Sequence, residues 1–222
     1  MTIGRPSAVL FDFGSTLFAH ASVADTILER AARLGAVVTR GRAIELAEQI
    51  RSAAHTPEEL LRGRDLDRAV WAARWQELYG IADGDVPGLG AALYESLHAP
   101  DEWHPYEATA DLLFWLHVAG VPVGVVSNTG WDIRTVFQHH GLDGLVSEFV
   151  LSCDVGCVKP SREVFDVACA RLGAAAGEVL MVGDDPVADA GAAAAGLLTL
   201  LVPAAAPGVD NGLGAVQRLL AR

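Results

Sequence analysis

Five short apolar runs alternate with helical patterns along most of this chain, and this alternation restricts the possible folds more than any other feature. The runs lie at residues 8–11, 122–126, 149–151, 179–182 and 198–202. The helical patterns lie at residues 106–118, 132–140, 162–172, 187–195 and 213–220. Strands that are linked through helices by short connections pair in parallel, so the pattern predicts an α/β fold with a doubly wound, Rossmann-like parallel sheet.

The segment between the first and second apolar runs has a different character. Residues 21–99 contain no strand-like run and show four or five amphipathic helical patterns instead. We therefore predict two units. An α/β core is formed by residues 1–19 and 100–222, and an all-helical unit of residues 20–99 is inserted after the first strand.

Polar side chains stand where the apolar runs end. Asp12 follows the first run, Ser127 and Asn128 follow the second, and Asp184 and Asp185 follow the fourth. The carboxyl ends of parallel strands meet at one edge of an open sheet, where ligands bind in such folds. A single strand-end aspartate is commonly a turn former, but polar groups from several strands at one edge predict a functional site.

Lys159 is the only lysine among 16 basic residues, and it lies just before a predicted helix. An ammonium is a compact point charge, whereas an arginine guanidinium is a planar fork. A lysine kept in an arginine-rich chain therefore indicates a position that needs a point charge near a phosphate or carboxylate. Chance retention is the alternative, and the strand-end carboxylates argue against it.

Charge and composition exclude several classes of protein. The net charge is -12 and no basic run is present, which argues against a nucleic-acid-binding surface. No apolar stretch reaches the roughly 18 residues of a membrane span, and the first residues do not resemble a signal peptide. Three cysteines without disulfide-type or zinc-type spacing suit a reducing compartment. We expect a cytoplasmic monomer or homodimer that acts on a small molecule, with no nucleic-acid or membrane partner.

Four motifs occur in an order that resembles the haloacid dehalogenase-like hydrolases, a superfamily composed mostly of phosphatases. The motifs are VLFDFGSTL at residues 9–17, VVSNTG at 125–130, VKP at 158–160 and MVGDDPVAD at 181–189. The likeness spans nearly all of the predicted core. The helical insertion resembles the first class of cap domain in that superfamily.

The resemblance implies a nucleophile and a set of side chains that bind the phosphoryl group. Asp12 would be the nucleophile, and Lys159 with Ser127 or Asn128 would bind the phosphoryl group. Electrostatics independently requires a cation such as Lys159 at this position, because a carboxylate and a phosphate dianion repel each other. Each pair of like unit charges at about 4 Å costs roughly 4 kcal/mol at an effective dielectric constant of 20.

The resemblance also implies a magnesium site. The ion would be held by Asp12, Asp184 and the backbone carbonyl of Gly14, since Mg²⁺ prefers oxygen ligands. Asp185 is expected in a supporting role, and it would repel its neighbour Asp184 unless a cation lay between them. We expect Asp189 either to hydrogen-bond Lys159 or the nearby backbone and so to orient them, or to be an acid on the surface of the predicted helix.

Gly14 departs from the family pattern, in which most phosphatases have an aspartate that serves as general acid and base. Positioned acid–base catalysis contributes about 10² to 10⁴ in rate, so we expect either a good leaving group or a substitute acid. An anomeric or acyl phosphate would provide such a leaving group. His20 and His104 lie where the chain leaves and re-enters the core, and they are candidate substitutes.

One predicted helix of the insertion carries Trp71, Arg74 and Trp75 on a single face. These side chains could contact a substrate, or the face could simply pack against a neighbouring helix. The sequence does not decide between the two.

Three functions remain open. The first is a magnesium-dependent phosphatase acting through an aspartyl-phosphate. The second is a metal-independent haloacid dehalogenase, because dehalogenases of the family also lack the second aspartate. The third is a phosphate-binding or regulatory protein that kept the fold and lost turnover.

Overall fold

The computed structural model describes residues 5–221, so residues 1–4 and 222 of the predicted core lie outside the described part. The strands are β1 Ala8–Phe11, β2 Phe18–His20, β3 Trp103–Pro105, β4 Val123–Ser127, β5 Glu148–Leu151, β6 Val179–Gly183 and β7 Leu198–Leu201. The helices are α1 Val23–Arg33, α2 Arg40–Ala54, α3 Pro57–Leu60, α4 Arg68–Tyr79, α5 Leu89–His98, α6 Thr109–Val118, α7 Arg134–His139, α8 Ser152–Val155, α9 Arg162–Leu172, α10 Gly191–Ala194 and α11 Ala215–Leu220. Within residues 5–221, none of these helices is long and apolar enough to cross a bilayer.

Five strands form one parallel sheet in the order β5-β4-β1-β6-β7. In the central strand β1, Val9 and Phe11 pack with α6, α7 and α11, whereas Ala8 and Leu10 pack with α9 and α10. Helices therefore cover both faces, and the predicted doubly wound α/β fold is confirmed. Phe11 is fully buried, and a side chain of this kind contributes about 1.5–3 kcal/mol to folding.

All the regular structure between β2 and β3 is helical. Helices α1, α2 and α5 bury a separate apolar cluster that includes Ile27, Leu46, Leu89 and Leu93. These four residues are at most 3% exposed, so the helices pack on one another and not only on the sheet. We refer to helices α1 to α5 as the cap.

A two-stranded antiparallel ribbon, which the sequence did not predict, joins the cap to the sheet. Strand β2 pairs with β3, and His104 lies opposite Ala19. Each strand has only three residues, which is too short for an alternating pattern to stand out in the sequence. The ribbon determines where the two candidate histidines point.

Helix α10 is shorter than predicted, since it spans Gly191–Ala194 and not residues 187–195. The carboxylate of Asp185 accepts hydrogen bonds from the backbone N–H groups of Val187 and Ala188, both at 2.7 Å. Local side-chain bonds of this kind hold the backbone in a turn instead of a helix. The apolar pattern alone carried no sign of this competition.

Candidate active site

The predicted site residues meet at the carboxyl edge of the sheet. Asp12 follows β1, and its backbone N–H donates to the carbonyl of Val182 in β6 at 2.8 Å. The Nζ atom of Lys159 contacts the carboxylate of Asp12 and lies 2.6 Å from Oδ1 of Asp189. One carboxylate oxygen from each of Asp12, Asp184 and Asp189 lies within 4.8 Å of the other two. A single ammonium therefore stands among three carboxylates.

The electrostatics of this cluster follow from burial and from that imbalance of charge. Burial alone would lower the pKa of Lys159, but the charges of Asp12 and Asp189 outweigh it, and the pKa lies above its ordinary value. Burial raises the pKa of Asp12 to about 7; Lys159 opposes the shift and Asp189 adds to it. Burial and then the charge of Asp189 also raise the pKa of Asp184. The single ammonium of Lys159 does not balance the three carboxylates of the cluster.

Asp189 uses both carboxylate oxygens to hold the site together. Oδ1 accepts from Lys159, and Oδ2 accepts the backbone N–H groups of Asp184 and Asp185 at 3.0 and 2.9 Å. A Cβ at Gly183 would lie 2.2 Å from the Asp189 carboxylate, so only glycine permits this approach. Asp189 thus contacts both the lysine and the backbone after β6.

Asn128 lines the cavity beside Ser127, but its side-chain amide is also engaged with the backbone of Lys159. Its Nδ2 donates to the carbonyl of Lys159, and its Oδ1 accepts the N–H of Lys159, both at 2.8 Å. Both ends of the amide are therefore engaged in positioning the loop that carries the lysine. For Ser127 and Asn128 alike, the phosphoryl contact stays a prediction.

We expect Asn128→Ala to lower the free energy of unfolding by about 1–3 kcal/mol, because two backbone groups of Lys159 lose their partners. Urea denaturation followed by circular dichroism measures the change. Gln138→Ala, at an exposed position of α7, is the control and should change stability by less than about 0.5 kcal/mol. Equal losses in the two variants would contradict the assigned role.

The cluster fits a hard divalent cation. Asp12, Gly14 and Asp184 all line the cavity, and Oδ1 of Asp184 accepts the hydroxyl of Thr16 at 3.2 Å, which orients it. The oxygens of Asp189 are already engaged, so this carboxylate supports the site. Mg²⁺ binds oxygen ligands, and a site with excess negative charge favours it. Asp12, Asp184 and Gly14 are the residues that would hold the ion.

Asp185 does not take part in this cluster. Its carboxylate is exposed and accepts the two backbone N–H groups of the following turn. The charge of Asp185 still contributes to the raised pKa of Asp184, so these backbone contacts do not remove the expected repulsion between the two. The charge of Asp189 raises that pKa more than the charge of Asp185 does, so the stronger repulsion that a cation would relieve lies among the three clustered carboxylates.

A cavity of about 690 Å³ opens onto these residues, and its lining includes both core and cap. Four of the five tryptophans of the chain line it: Trp71 and Trp75 from α4, Trp103 from β3 and Trp131 from the loop after β4. Arg74, predicted on the same helix face, does not line the cavity. Its guanidinium hydrogen-bonds Glu59 at 2.7 Å, because the buried carboxylate draws the long side chain away.

Two basic side chains of the cap that the sequence did not single out also line the cavity, namely those of His55 and Arg64. Arg64 lies in a short 3₁₀ turn, and its guanidinium stacks over Trp75 at 4.8 Å from the ring centroid. His55 directly follows α2. Both stand at chain turns, where no periodic pattern could have indicated the direction of a side chain.

His20 and His104, the predicted substitute acids, do not line the cavity. The ring nitrogens of His20 contact backbone carbonyls of Ala21 and Ser96 at 3.0 and 3.3 Å, and His104 is exposed. Side chains alternate along a strand, so the ribbon directs Trp103 toward the cavity and its neighbour His104 away from it. The prediction of their placement is therefore wrong.

Comparison with known proteins identifies the family of this chain. A family profile described as haloacid dehalogenase-like hydrolase matches residues 6–196. A ribulose-1,5-bisphosphate 5-phosphatase of Halopiger xanaduensis is 29% identical over 208 residues, which are 88% of this chain and 84% of that protein. An uncharacterized hydrolase of Schizosaccharomyces pombe is 40% identical over 77 residues, 32% of this chain and only 34% of the yeast protein.

The fold is also shared with solved structures. The crystal structure of a dehalogenase superposes with a TM-score of 0.73 at 23% sequence identity, and the match covers 100% of both chains. A sequence identity of 23% shows that the two proteins share a fold, but it does not show that they catalyse the same reaction. The profile match, which spans most of the chain, does show kinship. This chain belongs to the haloacid dehalogenase-like hydrolase family, and it is a hydrolase.

Proposed function

We propose that this hydrolase is a magnesium-dependent phosphatase that cleaves a small phosphate monoester through an aspartyl-phosphate. The observation that supports this most is the buried contact between Lys159 and Asp12. An ammonium beside the attacking carboxylate offsets the repulsion between that carboxylate and a phosphate dianion. A carbon–halogen bond carries no such charge, so its cleavage would not call for a surplus of carboxylates at a cation site.

Each step is assigned to a group of the site. A carboxylate oxygen of Asp12 attacks phosphorus, the P–O bond to the leaving group breaks, and its electron pair departs with that oxygen. Water then attacks the phosphorus of the aspartyl-phosphate, which releases inorganic phosphate and restores the carboxylate. Lys159 and the Ser127 hydroxyl donate to the phosphoryl oxygens. Asp12, Gly14 and Asp184 would hold Mg²⁺, which would supply further positive charge to offset the negative charge of the phosphoryl group.

The charge around the cavity supports a monophosphate substrate. Lys159 and Arg64 are the cationic side chains among the described residues that line it, and both are already paired. The aspartates of the lining outnumber them: Asp12, Asp65, Asp184, Asp185 and Asp189. A second phosphate would meet this excess of negative charge. We therefore propose a substrate with one phosphate, unlike the bisphosphate that the name of the Halopiger relative gives.

We expect turnover of substituted aryl phosphates to fall steeply as the pKa of the leaving group rises, because Gly14 can donate no proton. Gly14→Asp should flatten this dependence and raise turnover of the poorest leaving group by about 10- to 100-fold. A Cβ at this position would lie 3.7 Å from the Trp103 ring, which is an ordinary contact. Values of kcat/KM across the series give the slope.

Gly14→Asn is the matched control, since it adds the same volume without an acid and should leave the slope steep. A flat dependence in the wild type would contradict the proposal. Chelation of magnesium is expected to abolish phosphatase turnover. Cleavage of a haloacid that survives chelation would favour the dehalogenase alternative, and phosphate binding without turnover would favour the regulatory one.

A further inference from the structure

Four indole rings line the cavity, and nothing in the proposed phosphoryl chemistry requires them. The Trp71 and Trp75 rings lie 6.0 Å apart, and those of Trp103 and Trp131 lie 6.2 Å apart. His98 joins the two pairs, with its ring 5.1 Å from Trp71 and 5.3 Å from Trp131. Burial lowers the pKa of His98, so this link is uncharged. We call these four tryptophans the indole wall.

Most of the polar groups that the cap brings to the cavity are already engaged, although Nε1 of Trp75 is buried without a partner. The ring of His55 contacts a backbone carbonyl through Nδ1 at 2.7 Å. Arg64 donates to the carbonyl of Ala54 and to the carboxylate of Asp65, both at 3.2 Å, and stacks on Trp75. A sugar carries many hydroxyls, and a site for it needs several convergent donors and acceptors. The cap side offers mainly ring surface instead.

We propose that the group esterified to the phosphate is a flat aromatic alcohol that binds against the indole wall, so that the substrate is an aryl phosphate. This inference rests on the proposed phosphatase function. An aromatic ring gains both area burial and stacking against Trp75 and Trp131. A phenol also ionises near pH 10, far more readily than an aliphatic alcohol, so its phenoxide leaves without the proton that Gly14 cannot supply.

Binding of non-hydrolysable phosphonates tests the inference without turnover. Calorimetry on the magnesium-loaded protein compares phenylphosphonate with methylphosphonate, which present the same phosphoryl group. We expect phenylphosphonate to bind about tenfold more tightly or better. Trp75→Leu and Trp131→Leu should each reduce that ratio to about threefold or less. Trp115→Leu, in α6 and outside the cavity lining, should leave the ratio as in the wild type.

The outcomes separate the two proposals. Equal affinities for the two phosphonates in the wild type would overturn the aryl assignment and leave the phosphatase proposal standing. A ratio that survives in both Trp75→Leu and Trp131→Leu would likewise overturn the indole wall as the binding surface. Failure of both phosphonates to bind would overturn the phosphatase proposal and this inference with it.

Discussion

Asp12→Asn is expected to reduce turnover of phosphate monoesters by about 10⁴-fold or more, because an amide cannot form the phosphoryl bond. The substitution preserves shape, and Lys159 keeps its hydrogen bond to Asp189 at 2.6 Å. Mass spectrometry after acid quenching should find a phosphorylated Asp12 in the wild type and none in the variant. Turnover that survives the substitution would contradict the assignment of the nucleophile.

The same variant separates loss of chemistry from loss of fold. The pKa of Asp12 is raised to about 7, above the roughly 3.9 expected in the unfolded chain. Between those values the folded state binds more protons, so the wild type loses stability as pH rises from about 4 to 7. Asparagine does not titrate. Without magnesium, we therefore expect Asp12→Asn to gain stability over the wild type across this range, which urea denaturation at pH 4 and 8 would measure.

Much of the core could be predicted because its strands are buried on both faces. Such strands give continuous apolar runs, and the run predicted at residues 8–11 coincides with β1. The ribbon could not be predicted, since Phe18–His20 and Trp103–Pro105 are three-residue strands whose pairing depends on a contact across the entire cap. Helix α10 was overestimated because the hydrogen bonds of Asp185 compete with helix formation.

The same distinction applies to the candidate active site, where some features follow from the sheet topology and others do not. Parallel topology alone carries Asp12 and Asp184 to one edge, so their proximity follows from their place after two adjacent strands. The direction of a side chain within a loop does not follow from topology. Asn128 turns to the backbone of Lys159, and Trp131 reaches the cavity from the next turn of the chain. Contacts of this kind depend on packing between elements distant in sequence.

Lys159→Met is expected to lower both stability and turnover. The lysine side chain is 3% exposed and lies between the carboxylates of Asp12 and Asp189. Methionine has a similar length without the charge, so two buried carboxylates would face each other with no cation. Removing one partner from a buried ion pair costs about 3–5 kcal/mol. Loss of the phosphoryl contact should lower kcat by about 10³-fold.

Two further variants show which part of this effect is electrostatic. Asp12→Asn combined with Lys159→Met removes one of the two repelling carboxylates, so the double variant should be more stable than Lys159→Met alone. Lys159→Arg keeps the charge but spreads it over a planar fork, and its activity should stay well below that of the wild type. If Lys159→Met unfolded at the wild-type urea concentration and kept its turnover, the ammonium would have neither role. Some other group would then have to offset the negative charge of the clustered carboxylates.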